Sequence, residues 1–71
     1  MFTLELISRI DNYKTYFDIL EIINNGSVTF RRTSYLDSAI LCTLKICRKY
    51  WIELDSFRRY YKINIIYIGK K

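Results

Sequence analysis

Hydrophobic residues alternate with polar ones at both ends of the chain and fall at helical spacing between them. Over residues 2–10, FTLELISRI, Phe2, Leu4 and Leu6 alternate with Thr3, Glu5, Ile7 and Arg9, the period of a half-buried strand. Over residues 60–68, YYKINIIYI, Tyr61, Ile63, Ile65 and Tyr67 alternate with Tyr60, Lys62, Asn64, Ile66 and Ile68. Both faces of this second strand are partly apolar, as in a strand buried on two sides, set beside neighbours, or paired with another chain.

The segment 15–23, TYFDILEII, supports two readings. A helix over about 12–24 places Tyr13, Tyr16, Phe17, Leu20 and Ile23 on one face, with Asp11 or Asn12 as N-cap and Gly26 beyond its end; the order is then β-α-β-α-β. A strand suits the residue types better, because Thr, Tyr, Phe and Ile favour extended backbone and straight-chain helix formers are scarce. With Asn24-Asn25-Gly26 as a three-residue hairpin loop, Ile22 faces Val28, Leu20 faces Phe30 and Asp18 faces Arg32. A similar short loop after Asp11 then sets Leu6 opposite Leu20, Leu4 opposite Ile22 and Glu5 opposite Glu21. Leu4, Leu6, Leu20, Ile22, Val28 and Phe30 line one face in this register. Glu5, Ile7, Arg9, Phe17, Ile19, Glu21, Thr29 and Arg31 line the other. Arg31 and Arg32 point oppositely, Arg32 toward an edge ion pair with Asp18.

A helix is expected from Ser34, where Ser34-Tyr35-Leu36-Asp37 fits a capping box with an acidic first turn. Leu36, Ala39, Ile40, Thr43, Leu44, Ile46, Cys47, Tyr50 and Trp51 cover its apolar face, and Asp37, Ser38, Lys45, Arg48 and Lys49 the other. It ends near Glu53 or continues through Leu54 and Phe57 to about residue 58. The pattern predicts one α+β domain over 1–71: a three-stranded antiparallel meander, one amphipathic helix and a C-terminal strand.

Composition sharpens this picture. A chain of 71 residues lies near the lower limit for a core without staples. It is 51% hydrophobic and 17% aromatic, with twelve isoleucines, so the core material is present and some of it is left for an exposed patch or a homodimer seam. The net charge is +5. Residues 1–35 carry four basic and four acidic side chains and residues 36–71 carry eight and three, so all of the excess lies in the second half. Such a surface attracts phosphates or an acidic partner. An AT-rich coding sequence produces the same bias, since Ile, Asn, Lys and Tyr are abundant, Ala39 is the single alanine and proline is absent.

Candidate chemistry is thin. Histidine is absent and the two cysteines, Cys42 and Cys47, would point about 140° apart on one helix. Reduced thiols, no metal and no cofactor are therefore expected. The longest uncharged run falls far short of a membrane span, which leads to the expectation of a soluble intracellular protein with no membrane partner, cytoplasmic in the host if viral or borne by a mobile element. The carboxylate pairs Glu5 with Glu21 and Glu53 with Asp55 are the only acid–base candidates, and solvated carboxylates near arginines are the commoner reading.

Two clusters interleave cations with rings: Lys45, Arg48 and Lys49 with Tyr50 and Trp51, then Arg58, Arg59 and Lys62 with Phe57, Tyr60 and Tyr61. Interleaving of this kind supplies phosphate contacts and stacking platforms, although Tyr50 and Trp51 fall on the helix's apolar face and are expected to pack inward. The expectation is a non-enzymatic binding protein that contacts nucleic acid or a nucleoprotein complex through Arg31, Lys45, Arg48, Lys49, Arg58, Arg59 and Tyr60. The alternative is a protein-binding module or inhibitor, compositionally similar to small mobile-element proteins, that uses the outer sheet face with Ile7, Phe17 and Ile19 or the last strand.

Overall fold

The structure, a computed structural model, describes residues 1–22 and 28–69. Four strands, β1 (Phe2–Ser8), β2 (Lys14–Ile22), β3 (Val28–Thr33) and β4 (Tyr61–Tyr67), form one antiparallel sheet in the order β3-β2-β1-β4. One helix, α1 (Leu44–Glu53), lies between β3 and β4 in sequence, flanked by single 3₁₀ turns at Leu36–Ser38 and Asp55–Phe57. The α+β order of meander, helix and final strand is therefore present, and the segment that allowed two readings is strand β2. The expected loop at Asn24-Asn25-Gly26 lies outside the described residues.

The β1–β2 turn is built from the residues that favour it. Asn12 takes a left-handed φ of 60°, which asparagine tolerates better than most residues. The Asp11 carboxylate accepts the Tyr13 N–H at 3.0 Å, and the Ser8 and Tyr13 backbones close the turn. The turn is centred on Ile10-Asp11, earlier in the chain than a loop after Asp11, and this shifts the register. Glu5 faces Tyr16, Leu6 faces Thr15 and Ile7 faces Lys14, in place of Leu6 against Leu20 and Glu5 against Glu21.

The β2–β3 ladder has the expected pairs Ile22 with Val28 and Leu20 with Phe30. It then slips: Ile19 faces Arg31 while Phe17 faces Arg32, leaving Asp18 as the extra residue of a bulge. The bulge reverses the alternation for residues before it, so Phe17, expected on the outer face, is fully buried in the core beside Leu4, Leu6, Leu54 and Ile63. Asp18 pairs with Arg31, Nη2 to Oδ2 3.6 Å, and not with Arg32. Arg32 instead holds its guanidinium 4.9 Å from the centre of the Tyr61 ring.

Those contacts reveal a curled sheet. Strands three intervals apart would be separated by about 14 Å in a flat sheet, yet Phe30 of β3 and Tyr61 of β4 have ring centres 6.0 Å apart. Extra twist at the bulge is the local cause. The concave side encloses a set of rings, with Phe30 4.7 Å from Phe57 and Phe17 5.1 Å from Tyr50.

The helix begins later than Ser34. Ser34 has its hydroxyl 2.7 Å from the Tyr13 hydroxyl, and the chain makes only a 3₁₀ turn with no side-chain cap before extending again. The extended stretch 40–42 fills the place where β1 and β2 diverge: Ile40 N–H donates to the Phe17 carbonyl at 3.0 Å, and Cys42 and Phe2 exchange hydrogen bonds of 2.8 and 2.9 Å. Thr43 then caps α1, its hydroxyl accepting the Ile46 N–H at 3.4 Å. Because Cys42 precedes the cap, the two sulfurs do not diverge around one helix. They lie 2.9 Å apart, both buried. Tyr50, Trp51 and Leu54 pack inward as expected, whereas Leu36 and Ile46 are exposed.

Phe17→Ala is expected to lower the unfolding free energy by about 3–5 kcal/mol, a large share of the about 4–11 kcal/mol available to a chain of this size. Urea unfolding followed by Trp51 fluorescence measures it; a loss below 1 kcal/mol would contradict the bulged register. Burial also pushes the Cys47 thiol above its ordinary value of 9.0, to about 12. Folding then favours the protonated thiol, an advantage fully present below pH 9 and lost as pH rises toward 12. The urea midpoint of the reduced protein is expected to fall steadily above pH 9, and a flat profile to pH 11 would refute it.

Candidate functional site

Helix α1 presents two unlike sides. Cys47, Tyr50 and Trp51 turn toward the sheet, and the 3.6-residue period then forces Lys45, Arg48 and Lys49 outward. All three are exposed, and none has an ion pair among the described residues. Ile46 and Ile52 accompany them, 43% and 65% exposed. The outer face is therefore a short strip of unpaired cations edged by aliphatic surface.

The other predicted residues are dispersed. Arg31 is exposed on β3, ion-paired to Asp18. Arg58 is engaged in structure: its guanidinium lies 3.7 Å from the Trp51 ring centre, it forms an ion pair with Asp55, and its carbonyl accepts from Arg9 Nε at 2.9 Å. Trp51 in turn donates its indole N–H to the Ile63 carbonyl at 3.0 Å. Arg59 is exposed, and Tyr60 is 56% exposed. The α1 cations thus share one outward strip, while Arg58, grouped with them on sequence, serves the fold.

A second feature was not anticipated. Where the β1–β2 turn, the end of β3 and the start of β4 converge, two adjoining hollows of about 710 and 440 Å³ share Ser8, Phe30, Arg32 and Tyr61 and form one open groove. Tyr13, Thr15 and Ser34 line one end, and Ile10, Phe57 and Tyr60 the other. Its charge is balanced. Asp11 and Asp18 stand with Arg31 and Arg32, and Asp11 is held below the usual carboxylate range, first by the Tyr13 backbone N–H, then by the Ser8 hydroxyl, with a smaller attraction from Arg32. The expected edge ion pair of Arg32 is replaced because the bulge makes Asp18 the extra residue of β2 and Asp18 pairs with Arg31; that bulge carries no local signature beyond an acidic residue in a strand.

Glu5 is not placed opposite Glu21 by the register. Its neighbours across the sheet are Tyr16 and Asn64, it accepts from Asn64 Nδ2 at 3.3 Å, and Lys14 lies 3.6 Å away. Among the described residues no three potential metal ligands converge, and no helix is long and apolar enough to cross a membrane. No family model, no curated protein and no solved structure matches the chain.

The two neighbouring arginines should respond differently to truncation. Arg58→Ala removes a cation stacked on an indole, worth about 0.5–2 kcal/mol, and is expected to lower stability by about 1 kcal/mol. Arg59→Ala is expected to stay within about 0.5 kcal/mol of the parent. Paired urea titrations decide, and equal effects would show that Arg58 plays no structural part.

Proposed function

We infer that the protein is a non-enzymatic binding module whose target is nucleic acid or a nucleoprotein complex. The observation that carries this reading is the strip Lys45, Arg48 and Lys49, three outward cations at i, i+3 and i+4 with no carboxylate partner among the described residues. Cations of this kind release counterions when they meet phosphates, and little internal attraction has to be broken first. The exposed Arg59 and Tyr60 add a further charge and a ring that can stack on a base. The mechanism is occupancy: the sheet holds α1 rigidly by one side, and the other side makes the contact.

One observation favours a second reading. Ile46 and Ile52 are more exposed than nucleic-acid contact requires, and aliphatic surface rimmed by cations also suits a protein partner with an apolar centre and an acidic border. The module would then act as an adaptor or inhibitor.

Salt separates the two. Three phosphate contacts predict a slope of log affinity against log salt of about −2 for single strands and about −2.7 for duplex DNA, roughly a 20- to 40-fold loss between 50 and 200 mM salt. Anisotropy titrations with labelled single- and double-stranded oligonucleotides measure this, and the Lys45→Ala, Arg48→Ala and Lys49→Ala variants should each flatten the slope by about 1. Absence of binding at low salt, with salt-resistant binding to a protein, would reject the nucleic-acid reading in favour of the second.

A further inference from the structure

The geometry points to a disulfide between Cys42 and Cys47 that fastens the start of α1 to the stretch bridging β1 and β2. With Thr43 as N-cap, Cys42 occupies the position before the cap and Cys47 the fourth helical position. These are the two positions that pack together as a hydrophobic staple and set the angle at which a chain enters a helix. Here both members of the staple are sulfur, and the atoms stand 2.9 Å apart, within about 1 Å of the covalent S–S length of about 2.05 Å. Cys42 is held from the other side as well, through its paired hydrogen bonds with Phe2, so the partners are fixed before any bond forms.

The chemistry requires a two-electron oxidant, which a small disulfide of the oxidised-glutathione class supplies. One thiolate attacks the reagent and releases one reagent thiol. The second thiolate then attacks the mixed disulfide and releases the other. Two S–H bonds are lost and one S–S bond forms; both electrons reside in the two released reagent thiols, which also receive the two protons. Cys42, 7% exposed against 0% for Cys47, is the entry point. Burial, which disfavours the Cys47 thiolate, then shields the closed bond from reductants.

The chain has no other cysteine, which makes the test simple. The folded 71-residue chain is equilibrated with glutathione buffers ranging from fully reduced to fully oxidised, quenched in acid, denatured, alkylated with N-ethylmaleimide and weighed by intact mass spectrometry. The expected result is conversion from a doubly alkylated species to a monomer with no alkyl group, with glutathione adducts below about one tenth of the total. The oxidised form should melt about 10 °C above the reduced form of the same chain, a comparison that needs no substitution. Two alkylated cysteines throughout the series, stable glutathione adducts, intermolecular dimers or an unchanged melting temperature would each overturn the proposal.

Discussion

β1 and β2 remain paired for only three residues on each strand, and the backbone groups uncovered where they part have to be hydrogen-bonded elsewhere. The stretch 40–42 meets that requirement by bonding to Phe2 and Phe17. Its placement fixes the course of the chain beyond it. The chain cannot enter a helix while its backbone is committed to two strands, so α1 starts at Leu44, Thr43 becomes the cap, and Cys42 comes to rest against Cys47. The orientation of α1, and with it the direction in which its cations project, rests on this bridge.

The second organising element is the bulge at Asp18. It turns Phe17 inward and leaves Asp18 beside Arg31, and a bulge adds local twist of the kind that brings the two edge strands within reach of each other. A chain of this size has little interior, and curling lets five rings, Phe17, Phe30, Tyr50, Phe57 and Tyr61, share one concave space. Contacts between rings at these distances add to the area they bury. The same curl draws Arg32 over Tyr61 and makes the groove, so core and groove share residues, and substitutions in one will be felt in the other.

How much of this could be read from the chain depended on how local the determinant was. The alternation in 2–8 and 61–67 reports a sheet face directly, and both strands are where the pattern puts them. The outward set of α1 comes from helical period alone. The register of β1 against β2 does not, because the turn is centred on Ile10-Asp11 and not after Asp11, and the side to which Phe17 points is not legible because one extra residue inverts every position on its side of the bulge. The helix start was a matter of two competing signals. Ser34 offers a capping-box pattern, but its hydroxyl lies against Tyr13; the run Cys42-Thr43-Leu44-Lys45-Ile46-Cys47 carries its own cap and staple, which is legible once Thr43 is considered. No sequence signal marked the groove, since its walls come from three separate parts of the chain.

Trp51 has a wider bearing than its place in the core implies. Among the described residues β4 has a sheet neighbour on one side only, and such strands invite further strands to add on. By taking the Ile63 carbonyl with its indole N–H, and by carrying the Arg58 guanidinium on its ring, Trp51 places a bulky charged lid beside the most isoleucine-rich part of the molecule. The Ile63 carbonyl is thereby withdrawn from the backbone groups that an added strand could pair with along that edge.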